Sequence, residues 1–200
     1  MVGLLSTFCT VETHSKVRRR TGSQALFARC IAATERQRVT SGVSGTVTKV
    51  RLDGEWLAFK RFFLRHTRAW TYEVASHLLL PQPEVIPIIC FGKDANSRPW
   101  MVTPWVEGRN LREVFRQNPQ ACLSSSQLWL EKFQSRLHAQ GFHWADAAPR
   151  NVLVPDADTA RYRVVDYTLR ATKHSPDFSS RIDWLEQISP ECEYSLSTDE

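Results

Sequence analysis

Alternating hydrophobic and polar positions in the first half of this chain predict an antiparallel sheet. Leu57 and Phe59 alternate with Ala58 and Lys60, so Lys60 shares a strand face with a small residue, as in a half-buried strand. Residues 71–80 are predicted to form a helix that stops at Pro81 and packs over the sheet. Further strands are predicted from apolar or β-branched runs at residues 46–50, 85–91 and 100–106.

The second half has a helical pattern followed by two short strand patterns. Residues 107–140 are predicted helical, with a capping box at Ser124–Gln127 and a stop at Gly141. One face of this helix is expected to join the core, and it carries Leu130, Phe133 and Leu137. Two short strands are predicted from the apolar runs at residues 152–154 and 162–165.

These elements predict an α+β fold with two lobes. Residues 1–35 are mixed and basic, and we expect an N-terminal extension or an irregular segment there. Residues 36–106 are predicted to form an N-lobe of antiparallel sheet with one packed helix, and residues 107–200 a short, mostly helical C-lobe. With 200 residues and 42% hydrophobic content, the chain is typical of one soluble globular domain.

Cysteine usage and hydropathy predict a cytoplasmic location. The five cysteines are odd in number and contain no C-x-x-C pair, which argues against a disulfide framework or a zinc site and fits a reducing compartment. No apolar run reaches 18 residues, so no transmembrane helix is expected. The first nine residues lack a basic start and are too short for a typical signal peptide.

The net charge of +5 gives an expectation about partners. Basic residues cluster at 18–20 and 60–68, which could favour peripheral contact with an anionic membrane surface. A solvated basic face is the plainer explanation. No nucleic-acid partner is expected, because no aromatic-interleaved basic motif or base-reading helix is evident.

Three polar residues beside the last two strand patterns are candidates for phosphoryl transfer. Asp146 is followed five residues later by Asn151, and Asp166 ends the next apolar run. An Asp at the first position can accept a proton from a hydroxyl nucleophile, and the Asn and second Asp can hold Mg²⁺ against nucleotide phosphates. A polar loop beside a hairpin is the alternative, since the spacing alone is common.

Two upstream features complete a kinase-like set. Gly42 and Gly45 lie in a turn that leads into a β-branched strand, and glycine allows backbone to come close to phosphate oxygens. Glu73 follows Lys60 by 13 residues, a spacing suited to a strand followed by a helix packed over it. Such a Lys–Glu pair holds an ammonium near the α- and β-phosphates of ATP. Taken singly, each feature also fits a plain hairpin or a solvated side chain.

In this order, the residues resemble the protein-kinase-like fold. The stretches GFHWADAAPRNVLV and YRVVDY, with LAFKRF, TYEVASHLLL and WMVTPWVEGRNL, are most similar to small bacterial kinases of the lipopolysaccharide inner core, which phosphorylate heptose or Kdo sugars. The resemblance covers about residues 40–170. It implies ATP and Mg²⁺ as cofactors, and an acceptor hydroxyl on a core sugar.

The same resemblance implies a role for each candidate residue. Catalysis falls to Asp146, Lys60 and Glu73, and metal binding to Asn151 and Asp166. Nucleotide binding is implied for two regions: the glycine turn with its following strands, and a hinge whose backbone would contact adenine. The residues of the first region are Gly42, Gly45, Val47 and Lys60, and those of the hinge are Val102, Pro104 and Trp105.

Several positions depart from the protein-kinase pattern. Trp144 and Ala145 replace the usual His-Arg before the catalytic Asp, and Ala148 replaces the Lys two residues after it. Thr168 replaces the glycine after the metal-binding Asp, and only 34 residues follow Asp166. A sugar kinase is therefore favoured, and the alternatives are a small atypical Ser/Thr protein kinase or a pseudokinase module that binds nucleotide without catalysis.

Overall fold

The computed structural model describes residues 17–18, 23–117, 119–155, 162–172 and 194–196. The strands in this part of the chain are β1 (Val17–Arg18), β2 (Arg36–Ser41), β3 (Gly45–Leu52), β4 (Glu55–Phe62), β5 (Cys90–Lys93), β6 (Pro99–Pro104), β7 (Gly108–Asn110), β8 (Phe142–Trp144), β9 (Val152–Pro155), β10 (Arg163–Val164), β11 (Leu169–Ala171) and β12 (Tyr194–Leu196). The helices are α1 (Ser23–Ala32), α2 (Thr67–Leu79), α3 (Leu111–Gln117) and α4 (Pro119–Ala139), with 3₁₀ turns at Leu64–His66 and Pro149–Asn151.

An antiparallel sheet of seven strands, in the order β1-β12-β5-β6-β4-β3-β2, forms the N-terminal layer. The long pairing of β3 with β4 places Val47 opposite Lys60, and the pairing of β4 with β6 places Met101 on its other side. Val47, Lys60 and Met101 therefore share one face of the sheet, because directly opposed residues point the same way.

Each face of this sheet is covered by a helix. On one face, Phe59 and Val102 are buried in a small core with Cys30 of α1. On the other face, Phe62 and Met101 join the main core, to which α2 contributes Trp70 and Val74, together with Ala75 and Leu78. The sheet therefore has two helices where the sequence predicted one.

The C-terminal layer contains two small sheets beside α3 and α4. One sheet has the order β10-β9-β7, and the other pairs β11 with β8. Phe133 and Leu137 of α4 are fully buried in the main core, and Leu130 packs against it, as predicted for this helix face. Gly141 ends the helix region with a φ of +84°, a conformation that favours glycine.

Several predicted boundaries were wrong. Helix α2 begins at Thr67, four residues before the predicted start, and α4 begins at Pro119, so the predicted capping box at Ser124–Gln127 lies inside a helix. Proline suits the first helical turn because it needs no N–H partner there. The run at residues 85–91 forms a strand only from Cys90, because Val85 makes an isolated bridge to Val164 instead.

Two predicted regions hold elements that the sequence pattern did not show. Helix α1 lies within the predicted N-terminal extension, and Cys30 on it is buried against the sheet. Strand β7 lies within residues 107–140, which were predicted as wholly helical. Its short pairing with β9 escapes a pattern search because three residues carry no period.

No helix in the described ranges is both long and apolar enough to cross a membrane.

Candidate active site

A buried ion pair joins the sheet to α2. The ammonium of Lys60 lies 3.0 and 2.8 Å from the two carboxylate oxygens of Glu73, as the 13-residue spacing predicted. Lys60 and Glu73 are only 6% and 3% exposed. Packing on both sides of the pair holds this geometry, since β4 is paired with two strands and α2 is anchored by buried Trp70.

A second carboxylate, that of Asp166, contacts the same ammonium. Oδ1 of Asp166 lies 2.5 Å from Nζ of Lys60, although the two residues are 106 positions apart in the chain. The side chain of Asp166 is 47% exposed, so one end of this ion-pair cluster is buried and the other opens to solvent. The structure thus brings together Lys60, Glu73 and Asp166, three of the predicted site residues.

Burial and neighbouring charges together raise the pKa values of both Lys60 and Glu73. Burial alone lowers the pKa of Lys60, but the carboxylates of Glu73 and Asp166 outweigh it and raise that pKa above its ordinary value. Burial raises the pKa of Glu73 to about 7, with Asp166 adding to the rise and Lys60 opposing it. Lys60 is therefore a cation at neutral pH.

The backbone at Asp166 is unusual. Its φ of +52° lies in the left-handed region, which a non-glycine residue seldom adopts and which Asp tolerates better than most. The carbonyl of Asp166 accepts a bond of 3.4 Å from the indole of Trp144, and the carbonyl of Thr168 accepts one of 2.8 Å from the amide of Ala145. These contacts fix Asp166 beside the loop that carries Asp146.

Asp146 is held by two neighbours in its own loop. Asn151 is 3% exposed, and its side-chain nitrogen donates to the main-chain oxygen of Asp146 at 2.9 Å and to Oδ2 at 2.8 Å. Arg150 donates to both carboxylate oxygens, at 2.7 and 2.8 Å. Asp146 remains half-exposed, so its carboxylate is oriented by protein but can still be reached from solvent.

The segment after Asp166 is tied to α2 by two hydrogen bonds. The amide of Leu169 donates to Oγ of Ser76 at 2.7 Å, and the hydroxyl of Tyr167 donates to the carbonyl of Leu80 at 3.0 Å. Tyr167 is fully buried and meets His77 edge-on, with ring centroids 5.4 Å apart. Helix α2 therefore positions Glu73 and the Asp166 segment together.

The glycine turn has a structural reason of its own. A Cβ on Gly45 would lie 2.3 Å from the carbonyl oxygen of Arg61, so β4 passes too closely for any side chain there. A Cβ on Gly42, in contrast, meets nothing nearer than 3.8 Å. Gly45 is required by strand packing, and the phosphate contacts of Gly42 and Gly45 stay a prediction.

The predicted hinge, residues 102–106, overlaps the end of β6. The side chain of Val102 is buried under α1, away from the face that carries Lys60, and its carbonyl accepts a bond of 2.8 Å from the amide of Ile89. The amide of Trp105 donates to the carbonyl of Trp56 at 2.9 Å. These groups are already paired within the protein, and the contact of the hinge backbone with adenine stays a prediction.

A lysine between two tryptophans closes the hinge end of this sheet face. Nζ of Lys49 lies 4.6 Å from the ring centroid of Trp56 and 4.9 Å from that of Trp105, and it pairs with Glu107. Lys49 is opposite Ala58 in the β3–β4 register, on the same face as Lys60. The cation fixes the hinge tryptophan through charge and ring attraction.

The fit of the site to a divalent ion rests on Asp166 and Asn151. The Asn151 side-chain nitrogen is committed to Asp146, which leaves the amide oxygen as the atom for a metal. Mg²⁺ takes few protein oxygens and completes its shell with water and phosphate, so one carboxylate and one amide suffice. Among the described residues, no group of three or more His, Cys, Asp or Glu forms a denser metal site.

Arg150, Ser76 and Lys49 are site residues that the sequence reasoning missed. Arg150 could have been found from its spacing, because it lies four residues after Asp146 on a turn that begins at Pro149. Ser76 and Lys49 offer no such signal, since their partners lie 93 and 58 positions away.

Comparisons with known proteins identify the fold. No family model matches the chain, and no curated protein matches it. Among solved structures, the chain is similar to the protein kinase Rad53, crystallised as residues 1–466 in complex with AMP-PNP, with a TM-score of 0.53 and 21% sequence identity. The match covers 66% of this chain and 36% of the Rad53 chain, so this protein spans about a third of that structure. The predicted α+β, two-lobed protein-kinase-like fold is thereby confirmed.

Proposed function

We propose that this protein is an ATP-dependent kinase that transfers the γ-phosphate to a hydroxyl group on a sugar of the lipopolysaccharide inner core. The observation that carries the kinase part is the meeting of Lys60, Glu73 and Asp166 within 3.0 Å, beside a loop in which Asn151 orients Asp146. The left-handed backbone at Asp166 and the burial of Lys60 support this proposal, because they place charged groups together at one end of an open site.

The proposed reaction uses each of these groups at a stated atom. The Lys60 ammonium, held by Glu73, binds the α- and β-phosphates of ATP, which compete for it with Oδ1 of Asp166. Asp146 orients the acceptor hydroxyl and takes its proton as the acceptor oxygen bonds to the γ-phosphorus. The bond from that phosphorus to the bridging oxygen breaks, and ADP leaves with the electron pair.

Mg²⁺ is proposed as the cofactor, with Asp166 and Asn151 as its protein ligands. A bound Mg²⁺ neutralises charge on the phosphates during transfer. The exposed end of the ion-pair cluster at Asp166 suits this role, because a hydrated ion needs a carboxylate that solvent and phosphate can both reach. Rad53 was crystallised with the ATP analogue AMP-PNP, which supports nucleotide binding by a chain of this fold.

The sugar acceptor rests on the resemblance of the catalytic loop and on the departures from protein kinases. Ala145 and Ala148 remove two basic groups of the protein-kinase loop, and Thr168 replaces its flexible glycine. The alternative is a small atypical Ser/Thr protein kinase, which the fold shared with Rad53 supports.

We also propose action at the cytoplasmic side of a membrane, where the net charge of +5 favours an anionic surface.

One experiment tests nucleotide binding and acceptor class in sequence. Thermal unfolding is measured with Mg-ATP, which should raise the midpoint because ligand binds only the folded state. Labelled γ-phosphate transfer is then measured to core oligosaccharide and to a protein panel. Absence of any thermal shift at saturating Mg-ATP would overturn the kinase proposal. Strong transfer to protein with none to oligosaccharide would replace the sugar acceptor by the protein alternative.

A further inference from the structure

We infer that the cavity beside Asp146 is a binding subsite for an anionic group on the acceptor, with Arg68 and Arg170 as the residues that bind it. This inference rests on the proposed function, because it assigns a chemical class to the acceptor of the same reaction. The cavity measures about 860 Å³, and its lining includes Arg68 and Tyr72 of α2, Asp146, Thr168 and Arg170.

Within the part of the chain that the structure describes, the two guanidinium groups have no carboxylate partner. Among the described residues, neither Arg68 nor Arg170 takes part in an ion pair, whereas Asp146 in the same cavity is already paired with Arg150. Both arginines are exposed on the surface of the cavity. Two unpaired cations facing one concave space, next to the proposed base, suit an anion better than a neutral ligand.

Both arginines are presented by ordered elements. Arg170 lies on β11 and is opposite His143 in the pairing with β8. The guanidinium of Arg68 lies 5.7 Å from the ring centroid of Tyr72, one turn further along α2. A subsite on a strand and a helix holds its ligand with less loss of freedom than one on loops.

The position of Arg68 on its helix adds a local argument. Arg68 lies in the first turn of α2, where the helix dipole is positive, and that turn contains no acidic residue. A cation there is unfavourable for the isolated helix. An anion bound between Arg68 and Arg170 relieves this repulsion, so the placement makes physical sense as part of a binding site.

The anion could be a carboxylate or a phosphate on the acceptor sugar, and either would place a neighbouring hydroxyl near Asp146. We expect Arg68→Gln and Arg170→Gln each to raise the KM for core oligosaccharide about tenfold or more, the scale of one lost charge-assisted hydrogen bond. The kcat should change little, because the contact forms equally in the ground and transition states.

The test uses one core oligosaccharide in three forms: untreated, with its carboxylates amidated, and treated with phosphatase. Transfer kinetics are measured for the wild type, both variants and the control Arg112→Gln, which removes an exposed arginine outside this cavity. For the wild type, either amidation or phosphatase treatment of the oligosaccharide should raise the KM to the value that the variants show on the untreated form, and the treatment that does so identifies the anion. On that same form, the KM of the variants should rise no further.

Two outcomes overturn the inference. In one, both variants keep the wild-type KM for untreated oligosaccharide while Mg-ATP still shifts the unfolding midpoint, so the subsite fails and the kinase proposal stands. In the other, the variants raise the KM by the same factor for all three forms, which indicates a general structural effect. Failure of the kinase proposal is distinguished by the absence of a Mg-ATP shift in the wild type.

Discussion

Replacing Lys60 by Met should destabilise the fold in a pH-dependent way, apart from any effect on catalysis. The substitution keeps the unbranched stem of the side chain but leaves the carboxyl of Glu73, 3% exposed, without the ammonium at 2.8 Å. Removing one partner of a buried pair costs about 3–5 kcal/mol, because the remaining charge is uncompensated. Asp166 loses the same contact but can be hydrated, since its side chain is 47% exposed.

The pH dependence follows from Glu73. Burial already raises the pKa of Glu73 to about 7 in the presence of Lys60, and loss of the cation raises it further. A carboxyl whose folded pKa exceeds its unfolded value loses stability as pH rises between the two, by up to about 1.4 kcal/mol per pH unit. The Lys60→Met penalty should therefore be smallest at pH 5, where Glu73 carries a proton in both proteins, and should grow as pH rises above about 7, where only the wild type ionises Glu73 beside a cation.

Urea unfolding followed by circular dichroism, without nucleotide, measures this penalty at both pH values. The matched control is Lys60→Met combined with Glu73→Leu, which removes both charges and should recover most of the lost stability at pH 8. A penalty of equal size at pH 5 and pH 8, with no recovery in the double variant, would refute the account of a buried charge pair.

The site and its supports give three further predictions. Asp146→Asn should lower kcat by roughly 10²-fold or more while leaving the calorimetric affinity for Mg-ATP nearly intact, whereas Asp166→Asn should impair both. Near-wild-type transfer by Asp146→Asn would contradict its proposed role as base. Burial lowers the pKa of His77 to about 3, so the contribution of neutral His77 to stability is full above pH 6.5 and is lost as pH falls towards 3. His77→Gln should therefore reduce the fall in the free energy of urea unfolding between pH 6.5 and 4, and an unchanged slope would count against this account. Gly45→Ala should lower the free energy of unfolding by about 1–3 kcal/mol, measured with urea or heat, because the new Cβ meets the backbone of Arg61. The control Gly42→Ala should be nearly neutral, and equal losses in the two variants would argue against this close approach.

The sequence was most informative where partners are close in the chain or follow a period. The Lys60–Glu73 pair was predicted from 13 residues of strand and helix pattern. The buried face of α4 followed from its 3.6-residue period, as Phe133 confirms.

What the sequence could not show depends on contacts between distant segments. The contact of Asp166 with Lys60 spans 106 positions, and no local pattern sets its geometry. Helix α1 was overlooked because its hydrophobic face is short and follows a basic stretch, and only the sheet explains the burial of Cys30. The reason for Gly45 was also invisible, because the obstructing backbone belongs to a different strand.

The tether between α2 and the Asp166 segment has a consequence for inhibition. Ser76 and Leu80 bind that segment through two hydrogen bonds, and Glu73 on the same helix binds Lys60. A compound that wedges α2 away from the sheet would therefore displace the partner of Lys60 and the segment of Asp166, the proposed phosphate anchor and metal ligand, in one movement. It would need no resemblance to a nucleotide, and it would not compete with the high ATP concentration of a cell.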